Sequence, residues 1–295
     1  MKIGILSDIH SNIIAFKACI TYMESVSCDE YLFLGDYISD TPYTRETMDY
    51  LYEFSSNHSC RFLRGNREDY MLEQREAIAQ NIEQKKWVWN SASGNLLFAY
   101  EQLMEKDFSF FDNLPITFQY KKEGYPAITF CHGSPVSSRE RLLVDGDNTK
   151  EWLEYIDTDY LICAHTHLPG KLTYQGKYYY NCGSVGIAIG DCGQAQCIII
   201  EDICVNGKTE WSPTFLKIPY DNEQVVQDIR KSGLLDKAPW FVNSNIQILL
   251  TGTDYSSQLV KLADKLAKEA GEQFLADEKY WEEAARQLGV PDYRE

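Results

Sequence analysis

An α/β fold is predicted by three features of the sequence. Short apolar runs alternate with segments of helical periodicity through the first two thirds of the chain. Five of those runs stop at a polar motif of Asp, Asn or His, as strands feeding functional loops do at the carboxyl edge of open α/β sheets. Two tight-turn sequences, Tyr174-Gln175-Gly176-Lys177 and Val205-Asn206-Gly207-Lys208, join neighbouring segments and make the late core antiparallel.

Taken in order, residues 2–7 read as a strand. Residues 12–24 read as a helix, because Ile13, Phe16, Ile20 and Met23 recur at three- and four-residue spacing behind a Ser11 or Asn12 cap. Further strands are expected at 31–34, 61–64, 127–131, 160–163, 178–181 and 196–201. Between 67 and 113 the pattern is helical: residues 68–86 are rich in Glu, Gln, Arg and Ala, and Trp87, Trp89 and the segment 95–106 follow. Residues 68–113 are therefore read as a helical insertion leaning over the strand ends. From about Asp221 the chain is helical again, with Leu259, Leu262 and Leu266 on one face of 256–269 and a last helix near 278–288. Residues 238–250 suggest a strand inside this tail. No Pro-, Gly- or Ser-rich linker intervenes, so the expected division is a core, 1–220, and a mainly helical extension, 221–295, packed on it.

At 295 residues and 44% hydrophobic, the chain can bury one large core with a small appendage. No apolar run approaches the ~20 residues that span a bilayer, and the N-terminus lacks a signal-peptide pattern, so a cytoplasmic protein without membrane association is expected. Nine cysteines are scattered singly without a Cys-x-x-Cys pair, which fits reduced thiols. Cys131, Cys163 and Cys182 stand beside histidine motifs but read as small buried hydrophobes. A formal charge of −16 argues against a partner such as long nucleic acid, whose binding draws on clustered Lys and Arg. It leaves small phosphorylated substrates open, because bound divalent cations can reverse the local potential. The sequence sets no oligomeric state.

Four of the five histidines fall in Asp8-Ile9-His10, Cys131-His132-Gly133 and His165-Thr166-His167, with Gly35-Asp36 and Gly65-Asn66 between the first and second. The fifth, His58, lies in a polar stretch and reads as surface. Carboxylate, imidazole and amide oxygen together suit Mn, Fe, Zn or Ni better than Ca or Mg alone. A lone Asp-x-His means little, since a carboxylate at a helix N-terminus or two loop histidines would give the same letters. Five such motifs at successive strand ends can converge on one place, as a two-metal hydrolytic site requires.

The order Asp-x-His, Gly-Asp, Gly-Asn, His-Gly, His-x-His resembles the calcineurin-like metallophosphoesterase family over about residues 1–220. Leu63-Arg64-Gly65-Asn66 is similar to the family's third block and His132-Gly133-Ser134-Pro135 to its fourth. Asn181-Cys182-Gly183-Ser184-Val185-Gly186 resembles an Asn-Pro-Gly-Ser-Val-Gly segment with cysteine for proline, and Ala164 replaces the usual glycine before His-x-His. The resemblance implies a four-layer αββα sandwich of two mixed sheets. It also implies two divalent metal ions, one held by Asp8, His10, Asp36 and His167, the other by Asp36, Asn66, His132 and His165. Asp36 would bridge them, and a metal-bridging hydroxide would attack phosphorus in line. A scaffold on the same fold, like the retromer subunit that has lost metal ligands, is the alternative; retention of all seven ligand residues weighs against it.

Many family members carry, after Gly-Asn, a histidine followed by an acidic residue, and the resemblance implies that this histidine would contact phosphate or protonate the leaving group, whereas this chain has Arg67 before Glu68. Arginine cannot give up a proton near neutrality but can neutralise phosphate with two parallel hydrogen bonds. If Arg67 faces the site, with Asn66 it binds substrate and favours leaving groups that need no protonation; otherwise it is a solvated arginine. The insertion and the long helical tail resemble a bacterial subgroup acting on dinucleoside polyphosphates such as diadenosine tetraphosphate or on generic phosphodiesters, which makes a small nucleotide the expected partner. Trp87, Trp89 and Tyr100 would stack on a base or pack the insertion onto the core. Arg139 and Arg141 would reach a phosphate or lie solvated, and Tyr178, Tyr179 and Tyr180 should alternate between core and surface.

Overall fold

Three strand–helix units open the chain: β1 (Lys2–Leu6) and α1 (Ile13–Ser25), β2 (Glu30–Phe33) and α2 (Thr44–Asn57), β3 (Cys60–Phe62) and α3 (Asn66–Ala79). The computed structural model, which describes residues 1–272 and 277–294, continues through α4 (Gly94–Tyr100) and α5 (Glu105–Asn113) to β4 (Thr117–Tyr120) and β5 (Ile128–Cys131). Then come α6 (Asp147–Tyr155), β6 (Tyr160–Cys163), β7 (Gly170–Tyr174), β8 (Lys177–Asn181), β9 (Gln194–Val205) and β10 (Lys208–Pro219). The tail holds α7 (Asn222–Ser232), α8 (Leu234–Lys237), α9 (Pro239–Thr251), α10 (Ser256–Glu269) and α11 (Glu278–Leu288).

The strands form two five-stranded mixed sheets, ordered β10-β9-β1-β2-β3 and β4-β5-β6-β8-β7. In each, three parallel strands are flanked by antiparallel ones: β1, β2 and β3 by the β9–β10 hairpin, and β5, β6 and β8 by β4 and β7. Side chains alternate across a strand, so one run serves two interfaces. Ile3, Ile5, Leu32, Leu34, Ile198 and Ile200 meet Ile128, Phe130, Tyr160 and Ile162 between the sheets. Leu6, Tyr31, Phe33, Cys197 and Ile199 point the other way, onto Phe16 and Ile20 of α1 and Met48, Leu51 and Phe54 of α2. On the outer face of the second sheet Cys131, Leu161, Cys163 and Tyr179 pack on Leu153 of α6. The result is helix, sheet, sheet, helix, the α/β sandwich of two mixed sheets expected from sequence. Each fully buried Leu, Ile or Phe contributes about 1.5–3 kcal/mol.

Several elements differ from their sequence reading. Residues 238–250 form not a strand but α9, begun by Pro239 and ended at Gly252 in the left-handed conformation (φ 75°). Trp240, Val242, Ile246, Ile248 and Leu249 are buried there together with Asn243, Ser244 and Asn245, so the helix has no polar face to reveal its period. The helix expected over 68–86 stops at Ala79, and the segment 95–106 is divided between α4 and α5. Tyr178 and Tyr180 face the gap between the sheets while Tyr179 faces α6, so the alternation runs between two covered faces rather than core and surface. Edge strands β4 and β7, half in solvent, carry no continuous apolar run and gave no signal.

The tail helices α7, α8 and α9 enclose Val225, Ile229, Leu234, Val242 and Ile246 together with Ile187, and Ile14 and Tyr43 of the core pack against that cluster. Tyr43 Oη donates to Asp228 at 2.7 Å. A Cβ on Gly94 would lie 2.0 Å from the Lys237 carbonyl oxygen, so only glycine lets α4 come this close to α8. Beyond them, Leu259, Ala263, Trp281, Ala284 and Ala285 close α10 and α11 over Trp240. Among the described residues no helix is long and apolar enough to cross a membrane.

Candidate metal centre

Every sequence-predicted ligand lies past the carboxyl end of a strand: Asp8 and His10 after β1, Asp36 after β2, Asn66 after β3 as the first residue of α3, His132 after β5, His165 and His167 after β6. The loops converge into two groups, Asp8, His10 and His167, and Asp36, His132 and His165. In the first, the Nε2 atoms of His10 and His167 lie 3.1 Å apart, and Asp8 Oδ1 is 3.1 Å from His167 Nε2 and 3.8 Å from His10 Nε2. In the second, the His132 and His165 rings have centroids 5.1 Å apart, and His132 Nε2 is 3.0 Å from Asn66 Oδ1. Asp36 touches both: its Oδ2 is 3.8 Å from His10 Nε2 and its Oδ1 3.5 Å from His132 Nε2.

The donors fit divalent ions. Asp8 Oδ1 is buried without a hydrogen-bond partner. Two imidazole nitrogens facing each other beside a carboxylate need a proton or a cation between them. The far ring nitrogens are anchored, His132 Nδ1 by the Leu34 carbonyl and His167 Nδ1 by the Ile187 carbonyl, each at 2.7 Å. A ring whose Nδ1 donates to a carbonyl presents Nε2 as an acceptor, which is the tautomer a metal needs.

Local backbone explains the motif spelling. A Cβ on Gly35 would fall 2.4 Å from Gly65 N, and one on Gly65 would fall 2.2 Å from Asp36 Oδ1, so the two Gly-x motifs meet backbone to backbone. Glu68 fastens them, its carboxylate accepting from the backbone N–H groups of Asp36 (2.9 Å), Tyr37 (2.9 Å) and Gly65 (2.8 Å). Five of the seven predicted ligands, Asp8, His10, Asp36, His165 and His167, have φ between 47° and 66°. Asp, Asn and His enter that left-handed region more readily than other non-glycine residues. On the other side, Ser184 Oγ donates to the Asp8 carbonyl at 2.9 Å, and Asn181 Nδ2 donates to the Ala164 carbonyl at 2.8 Å. The Asn-Cys-Gly-Ser-Val-Gly segment thus braces both the Asp-x-His and His-x-His loops.

Charge balance sets a pH dependence. Burial alone would lower His10, but Asp40, Asp8 and Asp36 outweigh it and carry it from 6.5 up to about 9. Burial works the same way on His132, and Asp36 and Asp8 carry it up to about 10. Burial, reinforced by the charge on His132, pushes His165 down to about 4, leaving it a neutral donor. The raised values stabilise the metal-free fold fully below about 6.5, and this contribution is lost as pH rises through about 9 to 10. Ions compete with the same protons, so ion affinity should rise with pH and loading at pH 7 should release protons. Calorimetric titration in two buffers of different protonation enthalpy measures the release; identical heats in both would contradict the assignment.

Around the groups, Arg67 is 17% exposed on its side chain, which removes the solvated reading. Its Nη2 lies 2.9 Å from Asp40 Oδ2 and its buried Nε 4.0 Å from Asp36 Oδ2. Asp40 and Glu68 were not identified as site residues from sequence. Glu68 was visible only as the acidic residue after Gly65-Asn66-Arg67, and Asp40 gave no signal beyond lying four residues past Asp36. Trp87 packs edge-on against Tyr100, and Lys237 Nζ lies over the Trp89 ring at 4.0 Å. Arg139 turns away to Glu73 and the Tyr70 ring, and Arg141 is exposed. His58 is half-buried rather than superficial, stacked on Phe54 with centroids 4.0 Å apart. The three motif-adjacent cysteines are buried, and among the described residues no cysteine joins a metal-suited group.

Comparison with known proteins agrees with this geometry. Residues 1–169 match the family model described as calcineurin-like phosphoesterase. No curated protein sequence matches the chain. Among solved structures, a hypothetical protein from Pyrococcus horikoshii OT3 is 19% identical with a TM-score of 0.70, covering 86% of this chain and 99% of its own. A metallophosphoesterase from Sphaerobacter thermophilus is also 19% identical, with a TM-score of 0.63, covering 83% of this chain and 100% of its own. The family implies divalent metal ions, for which two groups of side chains are in place. With more than half its length matched and the motif loops brought together, the chain belongs to the calcineurin-like phosphoesterase family.

Proposed function

We propose that the protein is a two-metal phosphoesterase that hydrolyses a small phosphodiester or phosphoanhydride of nucleotide type. The observation that carries this reading is Asp36, whose two carboxylate oxygens face different groups of imidazoles. Asp8, His10, Asp36 and His167 hold one ion, and Asp36, Asn66, His132 and His165 the other. Carboxylate, imidazole and one amide oxygen suit Mn, Fe, Zn or Ni. When bound, such a pair of ions supplies Lewis acidity at phosphate oxygens and a water acidified to near neutrality.

The chain's own residues do the rest. Asp36 spans the groups and accepts the Arg67 backbone N–H at 2.8 Å, which fixes its plane. Arg67, charged at any working pH, lies beside Asp36, its Nε 4.0 Å from Asp36 Oδ2, and on this reading its guanidinium neutralises phosphate charge. No imidazole takes its place as a proton donor for the leaving group. Phosphoanhydrides and aryl esters, whose leaving groups depart as stable anions, are therefore favoured over alkyl monoesters. The test is turnover of diadenosine polyphosphates, cyclic nucleotides, a bis-aryl phosphodiester and an aryl monoester by protein loaded with each of the four metals. Hydrolysis of the anhydrides is expected; no turnover with any metal would favour a scaffold instead.

A further inference from the structure

Asp40 is 3% exposed, on the turn that follows Gly35-Asp36, with its backbone in the left-handed region at φ 69°. A buried carboxylate is costly unless each oxygen finds a partner. Here both do, and the partners come from three separate parts of the chain. Oδ2 accepts from Arg67 Nη2 at 2.9 Å and lies 2.8 Å from His10 Nδ1 in an ion-pair contact outside hydrogen-bond alignment. Oδ1 accepts from Asn95 Nδ2, on α4 of the insertion, at 2.6 Å. His10 is thus the one of three anchored ligand histidines whose Nδ1 faces a carboxylate; His132 and His167 face backbone carbonyls. A carboxylate at Nδ1 fixes the ring and makes Nε2 a stronger donor, and removing such a partner typically weakens metal binding about 10–100-fold.

We infer that Asp40 is a positioning residue that sets His10 for its ion and Arg67 for the substrate at once, and that through Asn95 it makes the helical insertion part of the metal site. This inference rests on the two-metal reading. Asp40 touches no ion and no substrate on this account; it acts by holding two groups that do. Neither His10 nor Arg67 can turn without breaking a contact to the same carboxylate, so ion and phosphate binding are coupled through it.

The test is titration of the metal-free, full-length protein with Co²⁺, followed by visible absorption and calorimetry, for wild type, Asp40→Asn and Asn95→Ala. Wild type should take up two ions. Asp40→Asn should bind one with wild-type affinity and the other about 10–100-fold more weakly, with an altered spectrum. Asn95→Ala should weaken the same ion by a smaller factor. A loss confined to one of two ions is not what a general loss of packing would give, and melting curves of the metal-free variants separate the two. Two ions bound by Asp40→Asn with wild-type affinities and spectrum would overturn the inference. If Asp40→Asn does not fold, Asn95→Ala decides: unchanged affinities overturn it and a selective weakening upholds it. Wild type that takes up no pair of ions would instead overturn the two-metal reading beneath it.

Discussion

Asp36→Asn should lower kcat/KM by about a thousand-fold or more, a loss of at least ~4 kcal/mol of transition-state stabilisation. The substitution keeps size and shape and removes the one charge that both groups share. The amide oxygen can still accept the Arg67 N–H now bound at 2.8 Å, which turns the new NH₂ toward His10, where a lone pair is needed. In the native protein burial alone would raise Asp36, but His132 and His10 hold it down at about 2, so the charge is present at any working pH. Steady-state kinetics on the best substrate of the panel, with circular dichroism to confirm the fold, measure the effect. Activity within tenfold of wild type would refute a bridging role.

Arg67→His should shift substrate preference instead of abolishing turnover. On the proposed function the guanidinium that lies between Asp36 and Asp40 would stabilise phosphate charge, and charge-assisted hydrogen bonds of this kind contribute about 1.5–3 kcal/mol. Its loss should cost roughly tenfold or more in kcat/KM on a nucleoside polyphosphate. An imidazole there can protonate an alkoxide, an effect worth about 10²–10⁴ where it operates, so hydrolysis of an alkyl monoester should rise. The two changes have opposite signs, which separates them from general damage. Equal activity of both proteins on both substrates would sink the proposal.

How much of this could be read in the sequence depends on where the information lies. Four of the five strands that end in predicted ligands, β1, β2, β5 and β6, were legible because they are buried on both faces and spell mainly apolar runs. The seven predicted ligands were legible because their motifs, Asn66 after the less buried β3 included, follow strands in a fixed order. Asp40 was not, because its role exists only once α4 brings Asn95 to it across 55 positions. Glu68 was in view as a letter, but that its carboxylate ties two loop backbones together is a fact of tertiary geometry. The helix α9 hid its type for the opposite reason to the edge strands: its burial leaves no polar face, whereas they lie half in solvent.

The left-handed backbone at Asp8, His10, Asp36, His165 and His167 has a consequence for the life of the protein as well as for its chemistry. Each such residue costs on the order of 1 kcal/mol, and five together approach the lower end of the roughly 5–15 kcal/mol that separates a folded domain from its unfolded chain. Ions that bind the folded form alone offset this by mass action. Under metal starvation the unfolded fraction grows, and proteolysis draws on that fraction. Metal-loaded protein should therefore resist proteolysis longer than metal-free protein, and pulse proteolysis with and without a chelator measures the difference.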